Sequence, residues 1–328
     1  MTSQRPFPPP TRLDDAARAG WLYYVAGNTQ DEIAQKMGVS RQTAQRLVAM
    51  AAAERLIKVR LDHPIGRCMD LGQALAERHG LRVVEVVPSD PAAPGLLAGV
   101  ASAAAALLER TLRSPEPRVV ALGTGRALKA AVEALPRMDC PQHRIVSRLG
   151  NMMADGRATA FNAVVRMADR VGAPHYPYPL PVMARDPEER EALLAQGPVR
   201  ATLALCERAD LTLVGVGQLG PRGPLVVDGF LSLDALAEVE ALGAVGEITS
   251  WIYDGAGRVL PCPHNARVTS APLPRAEGRH LVVAVAVGEA KVPALAAALR
   301  GGLVNGLVTN EATAARLLDE PPSPATLG

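Results

Sequence analysis

The stretch from Thr29 to Val48, Thr-Gln-Asp-Glu-Ile-Ala-Gln-Lys-Met-Gly-Val-Ser-Arg-Gln-Thr-Ala-Gln-Arg-Leu-Val, leaves little choice in how it folds. Thr29 followed three residues later by Glu32 is the pattern of a capping box at a helix start. Ile33, Ala34 and Met37 then recur at helical spacing as one inner face. Gly38 permits the positive φ of a tight turn, Val39 plugs the corner, and Ser40 is a good N-cap for a second helix. That helix opens with Arg41, Gln42 and Thr43, with Gln45 and Arg46 following. Two helices joined in this way, the second polar at its start, make a helix-turn-helix, and DNA becomes the leading candidate partner. Arg matches guanine edges and Gln matches adenine edges in the major groove. The candidate reading surface is therefore Ser40, Arg41, Gln42, Thr43, Gln45 and Arg46. The competing reading is a helical hairpin with a solvated polar face.

The flanks extend this unit. Asp14 to Gly27 reads as a supporting helix carrying Leu22, Val25, Trp21, Tyr23 and Tyr24, which predicts a small trihelical core anchored by large side chains. Beyond the second helix, Leu56, Ile57, Val59 and Leu61 alternate with Lys58 and Arg60, predicting a short strand or wing. Lys58 and Arg60 would then lie near phosphate, a solvated edge being the alternative.

Charge follows the same division. The net +2 of the 328 residues conceals ten Lys and Arg against six Asp and Glu in residues 1–67, and twenty-five against twenty-seven in the rest. The basic excess belongs to the helix-turn-helix segment, as nucleic-acid binding requires, and it is small enough that one copy would bind weakly. The length suits a small domain plus a large one, which we place at 12–62 and 69–320. Cys68, Cys140, Cys206 and Cys262 form no Cys-x-x-Cys pair, so neither a zinc site nor a disulfide framework is expected, and no other metal site or cofactor is implied. An N-terminus without an apolar signal core, and the absence of a membrane-length apolar run, give the expectation of a cytoplasmic protein with reduced thiols. The Ala-rich run from Leu96 to Leu108 reads as a buried helix, and residues 1–11 and those from Pro321 as disordered.

From Met69 onward apolar strands alternate with amphipathic helices. Strands are expected near 82–87, 118–122, 143–148, 210–216, 247–253, 281–287 and 303–308. Helices are expected near 69–79, 95–112, 126–135, 157–171, 187–208, 232–242, 290–300 and 310–319. Helical crossovers between strands mean a mainly parallel sheet covered on both faces, a Rossmann-like α/β fold whose ligands bind beyond the carboxyl ends of the strands. Val119 to Arg126 runs a buried strand into a Gly-rich turn and a helix, so the backbone of Gly123 to Arg126 can cradle an anion or hydroxyl, or simply make a plain turn. Leu211 to Gln218 repeats the theme with Gly217 and Gln218, and Glu289 and Lys291 stand at another helix start.

At this point the order of motifs resembles a known family. A helix-turn-helix, then Leu-Gly-Thr-Gly-Arg-Ala-Leu, Ser-Arg-Leu-Gly-Asn (147–151), Leu-Val-Gly-Val-Gly (213–217), Gly-Ala-Val-Gly-Glu-Ile (243–248), Asn-Ala-Arg-Val (265–268) and the run 299–314 are similar to the SorC/DeoR-like sugar-binding transcriptional regulators. Ala19 to Gly27 looks most like members that control sugar-alcohol operons. The resemblance implies an effector domain related in fold to sugar-phosphate isomerases, binding a sugar, polyol or phosphosugar and assembling as a tetramer on operator DNA. It also implies ligand contacts from Gly123, Thr124, Gly125 and Arg126, from Gly150 and Asn151, from Glu247, and from Arg267 and Lys291. The family commonly has Asp where Glu247 and Ala266 stand, which leaves the ligand's phosphorylation open.

The competing class is a sugar-phosphate isomerase or deaminase carrying a DNA-binding head. Such chemistry needs a carboxylate or His base near the substrate. Asp155, Glu247, His264 and Glu289 are the candidates, yet the six histidines are scattered and no His–carboxylate pairing follows from spacing, so no catalytic residue is assigned.

Overall fold

The computed structural model describes residues 11–54, 56–57, 65–93, 95–153, 156–159, 163–274 and 280–321. The chain divides into two compact units, residues 1–63 and 64–328.

The first unit holds three helices. α1 is Arg12–Tyr24, capped by a reciprocal Thr11–Asp14 box. α2 is Gln30–Met37, and its Thr29–Glu32 box is formed in both directions. Gly38 is left-handed at φ 66, and the Val39 amide donates to the Ala34 carbonyl. α3 is Arg41–Ala53, with the Ser40 hydroxyl accepting from the Thr43 amide at 3.2 Å. The core is Ala16, Ala19, Ile33, Ala34, Ala44, Leu47, Val48 and Ala51. The expectation of an aromatic anchor is wrong, because Trp21 is 54% exposed and Tyr23 and Tyr24 also face solvent. α1 meets α3 through Ala16, Ala19 and Gly20, a small-residue crossing without room for rings. Ile57 packs on this core and Leu56 faces solvent, while Lys58, Val59, Arg60, Leu61 and the expected disordered ends, apart from Thr11 and Pro321, lie outside the described residues.

The second unit runs α4 (Gly66–His79), β1 (Val83–Val87), α5 (Ala98–Leu112), β2 (Val119–Leu122), α6 (Arg126–Ala134), β3 (Arg144–Met152), α7 (Ala163–Val171) and β4 (His175–Pro181). It continues with α8 (Pro187–Leu194), α9 (Gly197–Glu207), β5 (Leu211–Val214), β6 (Gly217–Gln218), α10 (Pro224–Val227) and α11 (Leu233–Ala241). It ends with β7 (Ala244–Ile248), β8 (Trp251–Asp254), β9 (Leu281–Val285), α12 (Val292–Arg300), β10 (Gly306–Asn310) and α13 (Glu311–Asp319). Seven strands form one parallel sheet in the order β1-β10-β9-β5-β2-β3-β4. β6, β7 and β8 form a separate antiparallel sheet.

Apolar clusters cover both faces of the large sheet. α5, α6 and α7 pack Leu108, Leu128 and Met167 on one side, and α4, α12 and α13 pack Leu75, Leu295 and Leu317 on the other. This is the α/β architecture that continuous apolar strands demand. After β2 the chain proceeds to β3 on one side, and after β5 to β9 on the other, so the topological switch point lies between β2 and β5.

Four local expectations are corrected. Residues 247–253 are not a strand of the main sheet but the two arms of a hairpin, turned at Thr249 (φ 50) and Ser250 (φ 71). The stretch 187–208 is two helices, because Gly197 and Pro198 start α9 and proline cannot continue the ladder from α8. The seventh sheet strand, β4, went unread because His-Tyr-Pro-Tyr-Pro-Leu-Pro carries three prolines, which a strand tolerates at a sheet edge, where β4 sits. Residues 157–159 are extended rather than helical, with Ala158 bridged to Met152.

Candidate functional site

The candidate reading surface of the first unit is presented as its local chemistry requires. Ala44, Leu47 and Val48 turn one face of α3 into the core, which leaves Arg41, Gln42, Gln45 and Arg46 exposed on the other. Ser40 and Thr43 are engaged in the cap, their hydroxyls 2.9 Å apart. Arg41 Nε lies 3.3 Å from the Asp31 carboxylate with both side chains in solvent, an ion pair worth little alone but one that orients the guanidinium.

In the second unit a cavity of about 280 Å³ opens at the switch point. Its wall combines Thr124 from the end of β2, Leu149 from β3, Arg157 and Thr159 from the following loop, Asp228 and Phe230 behind α10, and Glu247 and Ser250 from the hairpin. Small-ligand sites run from roughly 300 to 1,000 Å³, so this cavity suits a ligand of few heavy atoms.

Glu247 is the polar centre of the wall. Its Oε2 accepts the Ser250 amide at 2.9 Å across the hairpin turn. The carboxylate lies over Gly217, where a Cβ would stand 2.0 Å from Oε1, so only glycine fits beneath it. Burial raises the carboxyl's pKa, opposed by the Ser250 amide and the positive charge of Lys291 and reinforced by Asp228. Burial lowers the Lys291 ammonium, while Glu247 pulls it back up and Arg126 pushes it further down. Burial also raises Asp228, which Arg126 opposes. Two carboxylates and two cations therefore share one field around the cavity.

Behind the turn, His264 is 3% exposed and donates from Nε2 to the Ser250 carbonyl at 2.9 Å, while its Nδ1 is buried without a partner. Burial holds its pKa down to about 4, and Arg267 adds to the depression. Asn265 clamps β8 through both backbone groups of Ile252.

The other sequence-nominated residues fall in different places. Gly123 donates its amide to Leu213 at 2.8 Å, extending the sheet rather than offering that N–H to a ligand. Gly125 precedes α6 at φ 123. Gly150 serves strand pairing: a Cβ there would meet the Leu180 carbonyl at 2.2 Å. Asn151 continues β3 and accepts the Thr159 amide. Gln218 pairs with Gly246, and its Oε1 is buried without a partner. Arg267 does not line the cavity, and its carbonyl accepts from Ala184. Glu289 is 77% exposed and paired with Arg316 at 3.1 Å. The wall residues that sequence reasoning missed are Asp228, Ser250, Arg157 and Thr159, from loops whose approach depends on the folding of the hairpin and of the segment after β3.

The isomerase or deaminase alternative needs a base facing the cavity. His264 points to a carbonyl, Glu289 to solvent, and Asp155 lies outside the described residues, while Glu247 does line the cavity, its Oε2 accepting the Ser250 amide. All four cysteines are free and buried, and no group of metal-ligating side chains occurs among the described residues. Among these residues no helix is long and apolar enough to cross a membrane.

Residues 63–319 match the Sugar-bind family model of sugar-binding domains. The chain is 36% identical over 307 residues to the erythritol catabolism regulatory protein EryD of Brucella abortus, covering 93% of this chain and 96% of that one. It is 28% identical over 318 residues to the transcriptional regulator LsrR of an Enterobacter species, covering 94% of each. The full-length sorbitol operon regulator SorC of Klebsiella pneumoniae superposes with a TM-score of 0.67 at 22% identity, over 93% of this chain and 99% of that one. A DeoR-family regulator from Listeria monocytogenes superposes at 0.69 and 22% identity, over 76% of this chain and 99% of that one. The protein is thus a transcriptional regulator rather than an enzyme, and it belongs to the SorC/DeoR-like family of sugar-binding transcriptional regulators.

Proposed function

We propose that the protein controls a polyol or carbohydrate catabolic operon, with residues 12–62 binding the operator and residues 69–320 binding the effector and forming the oligomer. The observation that carries the reading is the small cavity at the switch point, walled by Thr124, Glu247 and Ser250 beside Arg126 and Lys291. The relationship to EryD, named for erythritol catabolism, favours a polyol or its phosphate as the effector. Gln42, Gln45, Arg41 and Arg46 would meet bases, and Lys58 or Arg60 would meet phosphate.

The protein acts in the cytoplasm as a homo-oligomer, a tetramer in the family's manner. Two half-sites multiply contacts that a weakly basic single head makes poorly. Effector binding shifts the placement of subunits and with it the spacing of the recognition helices. A thermal-shift screen of the purified protein against sugars, polyols and their phosphates tests this. A ligand selective for the native state at a hundred times its Kd adds about 2.7 kcal/mol of stability. No stabilising ligand in any of the three classes would overturn the effector assignment.

A further inference from the structure

Asp228 caps α10 and lines the cavity, yet its carboxylate forms no hydrogen bond or ion pair with the described residues. Glu247 faces the same space with a single partner, the Ser250 amide. Arg126 and Lys291 are absent from the cavity lining, although their charges act on these carboxylates. A ligand entering here meets two acidic residues with acceptor positions that the described residues leave unfilled, together with Thr124 and Ser250 in the wall. Among the described residues the cation of the lining is Arg157, on the loop after β3.

We propose that Asp228 determines the charge class of the effector, accepting hydrogen bonds from a neutral polyhydroxy ligand and disfavouring a phosphate ester beside it in the cavity. The inference rests on the cavity being the effector site. Hydroxyl groups donate to carboxylates and gain the strength of charge-assisted bonds. A phosphate at the same position can donate little, and beside Asp228 it meets a like charge, with Arg157 as the cation of the lining on the other loop. A vicinal diol bridging the two carboxylates satisfies both without adding charge. Burial disfavours the ionised form of each carboxyl, and a donor-rich ligand restores it.

Calorimetric titration of the full-length protein with erythritol, ribitol and their monophosphates tests the assignment. The wild type should prefer the polyol by about tenfold or more, a margin well below what a like-charge contact produces at an effective dielectric near 20. Asp228→Asn should weaken the polyol by about tenfold and strengthen the monophosphate, whereas Asp228→Glu, which keeps the charge, should still reject the monophosphate. Burial disfavours the Asp228 charge, so Asp228→Asn should melt no lower than the wild type without ligand, and a loss of polyol affinity then reports recognition rather than folding. A wild type that prefers the monophosphate, or an unchanged preference in Asp228→Asn, overturns the role of Asp228. In either case Glu247→Gln decides whether the cavity is the site: lost binding keeps that reading, and unaffected binding, or no binding of any probe, removes it together with this inference.

Discussion

His264 makes the stability of the second unit depend on pH in a direction and amount that follow from its burial. In the unfolded chain its imidazole titrates near 6.5, and in the folded protein it is held down to about 4. Between those values the unfolded state carries the extra proton, so stability is intact above pH 6.5 and falls as the pH drops toward 4. The difference of about 2.5 units corresponds to a loss of about 3 kcal/mol at the acid end, at about 1.4 kcal/mol per pH unit within the window. The structural cause is specific: Nε2 already donates to the Ser250 carbonyl, and a proton added to Nδ1 would be buried with no acceptor.

His264→Gln keeps a donor for that carbonyl and does not titrate, so the difference in stability between wild type and variant isolates this histidine from every other group. Urea unfolding followed by Trp251, in a Trp21→Phe background that removes the other tryptophan, reports on the second unit alone. From pH 6.5 to pH 5 the wild type should lose about 2 kcal/mol relative to His264→Gln. A flat difference across that range would refute the reasoning. Since Ser250 is also a cavity residue, effector affinity should weaken over the same window.

Other perturbations have equally definite outcomes. Gln42→Ala should relax operator discrimination by about 1 to 3 kcal/mol in binding assays across operator variants, and altering Arg41, Gln42, Gln45 and Arg46 together with no change would remove the reading surface. Gly150→Ala should lower the melting temperature sharply, by the several kcal/mol typical of forced backbone shifts, because its Cβ would strike the Leu180 carbonyl at 2.2 Å. Lys291→Ala should change effector affinity in calorimetry far more than Arg267→Ala, since Lys291 acts on Glu247 while Arg267 stands behind His264. Equal losses would show that the cavity extends to Arg267.

The fold was legible where local and global preferences agree. Val119–Leu122 and Leu281–Val285 are short β-branched runs bounded by turns, and both are buried central strands. The Thr29 box, Gly38 and Ser40 specify two helices and the turn between them with almost no help from the rest of the chain. Legibility failed where tertiary context overrides local chemistry. β4 survives its prolines only as an edge strand, and the hairpin turn uses Thr249 and Ser250 at positive φ without the Asn-Gly signal that marks such turns. The aromatic anchor failed because helical spacing gives a face but not the distance between helices, and a small-residue crossing turned the rings outward.

The misread hairpin also explains why the cavity wall was only partly visible in the sequence. Thr124 and Glu247 stand at or near strand ends, where a parallel sheet places its ligands, and both reach the wall. The remaining polar groups are gathered by the antiparallel addition: Ser250 N–H holds Glu247, His264 holds the Ser250 carbonyl, and the Tyr253 hydroxyl donates to Ala294 in α12, whose N-cap is Lys291. Backbone strain at two non-glycine residues persists only where surrounding contacts hold it, and here Ser250 is held by Glu247 on the cavity side and by His264 behind it. A ligand touching Thr124, Asp228 and Glu247 joins the main sheet, the α10 loop and the hairpin, three elements with separate connections to the fold. Its influence on the regulator is then bounded by how much better it binds one arrangement of those elements than another. Effector response and the geometry of the Thr249–Ser250 turn should therefore change together.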